Sequence, residues 1–133
     1  MDEKNQQEIL FKLSMSEQQI QQLHQQLQAV EQGSNELQSL TLGLDEIKGK
    51  NGKEIFAPIG RGIFIKAQLL SEDLTVDIGN KNFVKKTIPE AQILIKDQIE
   101  KLEEVKQELN SNLEKISKET RELIESMDKK EKK

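Results

Sequence analysis

His24, the Gly60-Arg61-Gly62 stretch, the Gly49-Lys50-Asn51-Gly52-Lys53 stretch and three carboxylate pairs are the groups in this chain with chemistry of their own to offer. His24 could ligate a metal or shuttle a proton. It is the single histidine, the chain has no cysteine, and a metal site needs a second nitrogen or thiolate. Lying beside a helical seam among glutamines, it reads as a solvated side chain. Gly60-Arg61-Gly62 resembles the start of a dinucleotide loop, but the third glycine is missing and a strand pattern follows where a helix is required. It reads as a hairpin turn. In the second glycine-lysine stretch, Glu54 stands where a phosphate loop needs Ser or Thr after the lysine. Asp45-Glu46, Glu72-Asp73 and Glu103-Glu104 could do general acid–base work only inside a pocket. Their helical and turn surroundings make them solvated charge. The expectation is a chain with no catalytic residue, no metal and no cofactor, and so not an enzyme.

Composition points the same way. Of 133 residues, 34% are apolar and 3% aromatic, with no Trp or Tyr, which is too little for a large globular core. Charged residues reach 33% with both signs mixed, which suits long exposed helices. A net charge of −4 argues against a phosphate-tracking surface, and the Lys-rich tail is interleaved with acids, so neither nucleic acid nor an anionic membrane is an expected partner. The opening MDEKNQQEIL is acidic and polar and no apolar run reaches membrane length, so a cytoplasmic protein is expected.

The elements that position these residues fall into three parts: an N-terminal coiled-coil helix over 1–48, a β hub over 49–86, and a C-terminal helix with a charged tail over 87–133. The first arm, from about Asp2 to Ile47, carries a seam of Ile9, Leu13, Ser16, Ile20, Leu23, Leu27, Val30, Ser34, Leu37, Thr41 and Leu44. Steps of four and three over so many turns are the heptad signal of a coiled coil. Gly33-Ser34 weakens the helix locally without ending it. Leu40, Leu42, Leu44 and Ile47 are expected to pack under the β unit, and the glycines at 49 and 52 stop the helix. The second arm opens on a capping box, Thr87-Ile88-Pro89-Glu90. Its seam is Ile95, Ile99, Leu102, Lys106, Leu109, Leu113, Ile116, Thr120, Leu123 and Met127, with Val105 beside Lys106 marking a small shift of register. The helix is expected to fray into Asp128–Lys133, a solvated tail.

Between the arms, four short alternating runs predict strands over Glu54–Ile59, Ile63–Leu70, Leu74–Ile78 and Asn82–Lys86, joined as two hairpins. Pro58 cannot donate to a ladder and predicts an edge or a bulge. A two-hairpin sheet buries too little apolar surface to stand alone and leaves open edges that invite other chains. The fold class is therefore α+β: a long antiparallel two-helix coiled coil joined by two central β-hairpins, completed as a β-barrel body on oligomerisation. The residues expected to carry that assembly are Ile55, Phe56, Pro58, Ile59, Gly60, Gly62, Phe64, Ile65, Val76, Ile78, Gly79 and Val84.

Arms of equal period leaving one hub on the same side pair antiparallel, and both chain ends meet at the far tip. There, Leu10, Phe11 and Met15 lie off the seam residues Ile9 and Leu13, facing Leu123, Ile124 and Met127. Apolar groups left over at the end of a two-stranded coil mark a contact surface, and Met and Phe adapt to varied shapes. The plain alternative is that they only thicken the coil end.

The stretch EIFAPIGRGIFIKAQL, followed by LTVDIG and FVKKTIPEA, resembles the alpha-type subunit of the prefoldin family in its archaeal form. The matching positions are Pro58, Ile59, Gly60, Gly62, Phe64, Ala67, Val76, Ile78, Gly79, Val84 and Ala91. Ala57 stands where valine is usual, and Lys85 where an acid is common. The resemblance implies two alpha-type and four beta-type subunits joined through a double β-barrel body. It implies coiled-coil tips that hold unfolded polypeptides without nucleotide and pass them to a group II chaperonin. An ATP-independent holdase subunit is the expected function. The competing reading is a structural coiled-coil scaffold that oligomerises through its β hub and binds one defined partner.

Overall fold

The structure, a computed structural model, describes residues 3–131, with side chains through Asp128. Asp2 and the side chains of the Lys129–Lys133 tail lie outside the described residues. Helix α1 runs Glu3–Ile47, then come β1 (Glu54–Gly60), β2 (Ile63–Gln68), β3 (Leu74–Asp77) and β4 (Phe83–Lys86), and helix α2 runs Ile88–Glu131. The strands end within one or two residues of the alternating runs, with Leu69, Leu70, Ile78 and Asn82 falling outside the ladders. The chain divides into two compact units. One holds the outer helix segments, through Ser34 and from Lys101, and the other spans Asn35–Glu100.

In the first unit the heptad pattern sets the packing. Ile9, Leu13, Ser16, Ile20, Leu23, Leu27 and Val30 are half-buried and Ser34 is buried, while the residues between them are exposed apart from Gly33. On α2 the covered stripe includes Leu102, Lys106, Leu109, Leu113, Ile116, Thr120, Leu123 and Met127. The segments run antiparallel. A Cβ on Gly33 would stand 3.6 Å from Leu102 Cδ1, and Lys106 Nζ lies 3.5 Å from Glu31 Oε1. The register shift expected at Val105 does not occur. Val105 is 40% exposed, and Lys106 occupies the seam by laying its aliphatic stem along it while its ammonium reaches Glu31. Thr120, another polar seam residue, donates its hydroxyl to the Ile116 carbonyl at 2.8 Å, so no donor is stranded.

The second unit has a small core. Leu44, Ile88, Ala91 and Ile95 are buried, Ile88 at 2% exposure, with Leu37, Ile47, Leu74 and Ile99 packed against them. Leu40 and Leu42 do not join this core; both are exposed. Leu42, two residues from Leu44, points away from it, while Leu40, one turn before Leu44, sits at the flank of that stripe and lines an open groove beside Leu44 and Ala91 rather than the buried core. α2 starts where Thr87 Oγ1 accepts the Glu90 N–H at 3.3 Å and donates to Glu90 Oε1 at 3.0 Å. In the capping box expected from the sequence, the glutamate returns to the backbone N–H of the cap residue. Here it takes the cap hydroxyl.

β1 and β2 form one two-stranded antiparallel sheet and β3 and β4 another, with no closed barrel in the single chain. The first hairpin pairs Phe56 with Lys66 and Pro58 with Phe64, then slips register before Gly60–Ile63. The bulge removes the need for an N–H at Pro58 to sit in a regular ladder. Arg61 and Gly62, at φ 49° and 78°, are the two central residues of its loop. Two left-handed residues match the strand twist as a type I′ turn, and glycine meets that need at no steric cost. The second hairpin closes through the Asn82 N–H to Gly79 carbonyl bond of 2.9 Å, with Asn80 and Lys81 left-handed.

Candidate functional site

The hub is a set of apolar side chains that the chain itself covers only in part. In the first hairpin, alternation and the observed register place Phe56, Pro58 and Phe64 on one face and Ile55, Ala57, Ile65 and Ala67 on the other. Phe56 is 67% exposed, Ile59, Phe64 and Ile65 are exposed, and Pro58, Gly60 and Gly62 are open to solvent. Ile55, Ala57 and Ala67 are half-buried. In the second hairpin, Val76 pairs with Val84 and both are half-buried, Leu74 reaches the helical core, and Ile78 and Gly79 are exposed. Ile63 and Phe83 are exposed apolar strand residues of the same kind. They were not among the hub residues read from the sequence, although they lie in the same alternating runs. Below the second hairpin a groove of about 420 Å³ is lined by Leu40, Leu74, Val76, Ala91 and Leu94 among others.

Polar contacts fix the base of the hub. Gln92 donates from Nε2 to the Thr41 carbonyl at 3.2 Å and to Asp45 Oδ1 at 2.8 Å, joining α2 to α1. Lys48 pairs with the same carboxylate at 3.3 Å. The Gln92 amide first, and the Lys48 ammonium second, hold the Asp45 carboxyl below its ordinary range. Glu72 Oε1 accepts the Gly49 N–H at 2.6 Å. The sequence marks Asp45-Glu46 and Glu72-Asp73 as solvated charge. The structure gives Asp45 and Glu72 partners on other elements, and no local pattern announces contacts 47 and 23 residues away.

The second candidate region lies at the end of the first unit. Ile9, Leu13, Leu123 and Met127 are half-buried in the seam. Leu10, Phe11, Met15 and Ile124 are exposed, Phe11 at 67%. A two-stranded coil needs only two apolar positions per heptad, so these four side chains exceed what the coil uses. A shallow surface depression beside Phe11 is lined by Lys4, Gln7, Glu8 and Lys12, all exposed.

Elsewhere the groups with chemistry stay apart. His24 is exposed. Among the described residues no three His, Cys, Asp or Glu side chains are grouped to hold a metal, and no helix is long and apolar enough to cross a membrane.

Comparison with known proteins gives one family. The model of the prefoldin subunit family matches residues 16–133. A prefoldin subunit alpha of Methanobrevibacter smithii is 32% identical over 111 residues, covering 83% of this chain and 76% of that protein. One of Methanosphaera stadtmanae is 36% identical over 88 residues, covering 61% of this chain and 64% of the relative. Among solved structures, a cryo-EM structure of filamentous PFD from Methanocaldococcus jannaschii superposes with a TM-score of 0.74 at 19% identity. It covers 85% of this chain and 95% of that one.

Proposed function

Because this chain belongs to the prefoldin family and has the layout of its alpha-type subunits, we propose that it is an ATP-independent holdase subunit. It binds unfolded polypeptides in the cytoplasm at its coiled-coil tip and passes them to a group II chaperonin. The observation that carries this reading is the excess apolar surface of Leu10, Phe11, Met15 and Ile124, left exposed after the seam has closed. Single contacts of this kind are weak and unselective, which suits a surface meant for many unfolded sequences. Several tips held by one body raise the effective concentration of the second and third contacts, so capture is strong while each contact releases easily. The body is supplied by the exposed hairpins, which pair with beta-type subunits, two alpha with four beta.

Native mass spectrometry of the complex isolated from the organism's own lysate tests the assembly. Two copies of this chain with four of a smaller helical protein are expected. A homo-oligomer, or one defined partner, would replace the holdase by a scaffold. The tip is tested on the assembled complex carrying Leu10→Ser, Phe11→Ser and Ile124→Ser together. Light scattering of a chemically denatured enzyme diluted into the complex should require about tenfold more variant than wild type for equal protection, in line with the loss of multivalent contacts. Equal protection at equal dose sinks the tip mechanism.

A further inference from the structure

We infer that Glu72 is a positioning residue for assembly, clasping the connector between the two hairpins to the end of α1. This rests on the reading of the hairpins as an assembly hub.

The two hairpins share no ladder, so strand pairing cannot fix one against the other. The second hairpin is seated on the helices through Leu74, which packs against the core. The first is tied to the turn that follows α1. Gly52 N–H donates to the Leu69 carbonyl at 2.6 Å, Leu69 N–H to the Lys53 carbonyl at 3.0 Å, and Gln68 Nε2 to the Gly52 carbonyl at 2.9 Å. That turn and the connector at 70–73 must then be held together, and the Glu72 carboxylate does this by accepting the Gly49 N–H. Gly49 is left-handed at φ 72°, just beyond the last helical residue, a conformation only glycine adopts without cost. Glu72 is half-buried while Ser71 and Asp73 beside it are exposed. Asp73 N–H donates to Ser71 Oγ at 3.0 Å, so the connector is folded locally and presents Glu72.

The consequence is for association. A strand joining another chain must arrive at the ladder spacing and in one register. A hairpin already oriented loses less freedom on docking than one that swings. A single hydrogen bond to a charged group gives an expected effect of about fivefold to tenfold on the dissociation constant.

The test uses the full chain assembled with its beta-type subunits, as wild type, Glu72→Gln and Glu72→Ala. Mass photometry on serial dilution reads the dissociation midpoint. Hydrogen exchange of the Gly49 amide is read in each chain alone. Glu72→Ala should dissociate at about fivefold to tenfold higher concentration, with faster Gly49 exchange and a helical melting curve like that of wild type. Glu72→Gln keeps an acceptor oxygen and should stay within about twofold of wild type. If wild type and Glu72→Ala complexes dissociate together, or Gly49 exchange is unchanged, the clasp is overturned alone. If the wild-type chain forms no complex with beta-type subunits, the hub reading falls and the clasp falls with it.

Discussion

The two hairpins of the hub have similar connections and opposite surfaces. The second presents Leu74, Val76 and Val84 on one face, and Thr75, Asp77 and Lys85 with Phe83 on the other. It is an ordinary half-buried antiparallel sheet, with the apolar face toward the helices and a largely polar face toward water. The first has apolar side chains on both faces, Phe56, Pro58 and Phe64 against Ile55, Ala57 and Ile65. A strand pair patterned in this way is built to be covered on both sides, and within this chain the face of Ile55, Ala57 and Ala67 is only half covered while Phe56, Pro58 and Phe64 stay open. The second hairpin therefore belongs to the fold of the subunit. The first leaves Phe56, Ile59, Phe64 and Ile65 exposed, the surface that the proposed assembly would cover.

Substitutions can separate these roles. The largest effect on the chain itself is expected at Ile88, buried at 2% exposure under the second hairpin. Ile88→Ala should cost about 2–4 kcal/mol in urea unfolding of the isolated chain. Phe64→Ser in the first hairpin should change that unfolding by less than about 0.5 kcal/mol, as an exposed residue does. It should still abolish the complex in native mass spectrometry. If Phe64→Ser unfolds the free chain, the hairpins are not divided as described.

The helical support of the hub is expected to be acid-sensitive. Gln92 and Lys48 lower the Asp45 pKa in the folded chain, so the folded state binds that proton less readily than the unfolded state. The stability Asp45 contributes is present above the ordinary carboxylate pKa of about 3.9 and is lost as pH falls through its depressed folded value. Gln92→Leu removes the first cause and should flatten this part of the thermal-stability profile between about pH 5 and pH 2. An unchanged slope would show that Asp45 does not report on the α1–α2 contact.

The smallest expected effect lies in the turn of the second hairpin, where Lys81 is left-handed at φ 61°. The first hairpin places Gly62 at the equivalent turn position. Lys81→Gly relieves that strain and should raise the melting stability by about 0.5–1 kcal/mol without altering assembly. A loss of stability would mean that the lysine side chain is needed there.

Much of this molecule is local information. The seam from Ile9 to Leu44 is visible as a spacing, because a helix repeats its faces every three to four residues and the partner helix has the same period. Thr87 before Pro89 and Glu90, and Arg61-Gly62 between alternating runs, mark a helix start and a hairpin turn for equally local reasons. The off-seam positions of Leu10, Phe11 and Ile124 follow from the same count. Only the tertiary structure decided that Leu40 and Leu42 stay exposed while Leu44 and Ile47 pack inward, since apolar character alone put all four under the hairpins. It also decided that the seam keeps its register past Val105, which stays exposed while the Lys106 ammonium meets Glu31 on the other helix. The bonds from Glu72 to Gly49 and from Gln92 to Asp45 join residues distant in the chain. Their side chains carry no periodic signature, and a charged residue in a turn looks the same whether it meets water or a backbone N–H.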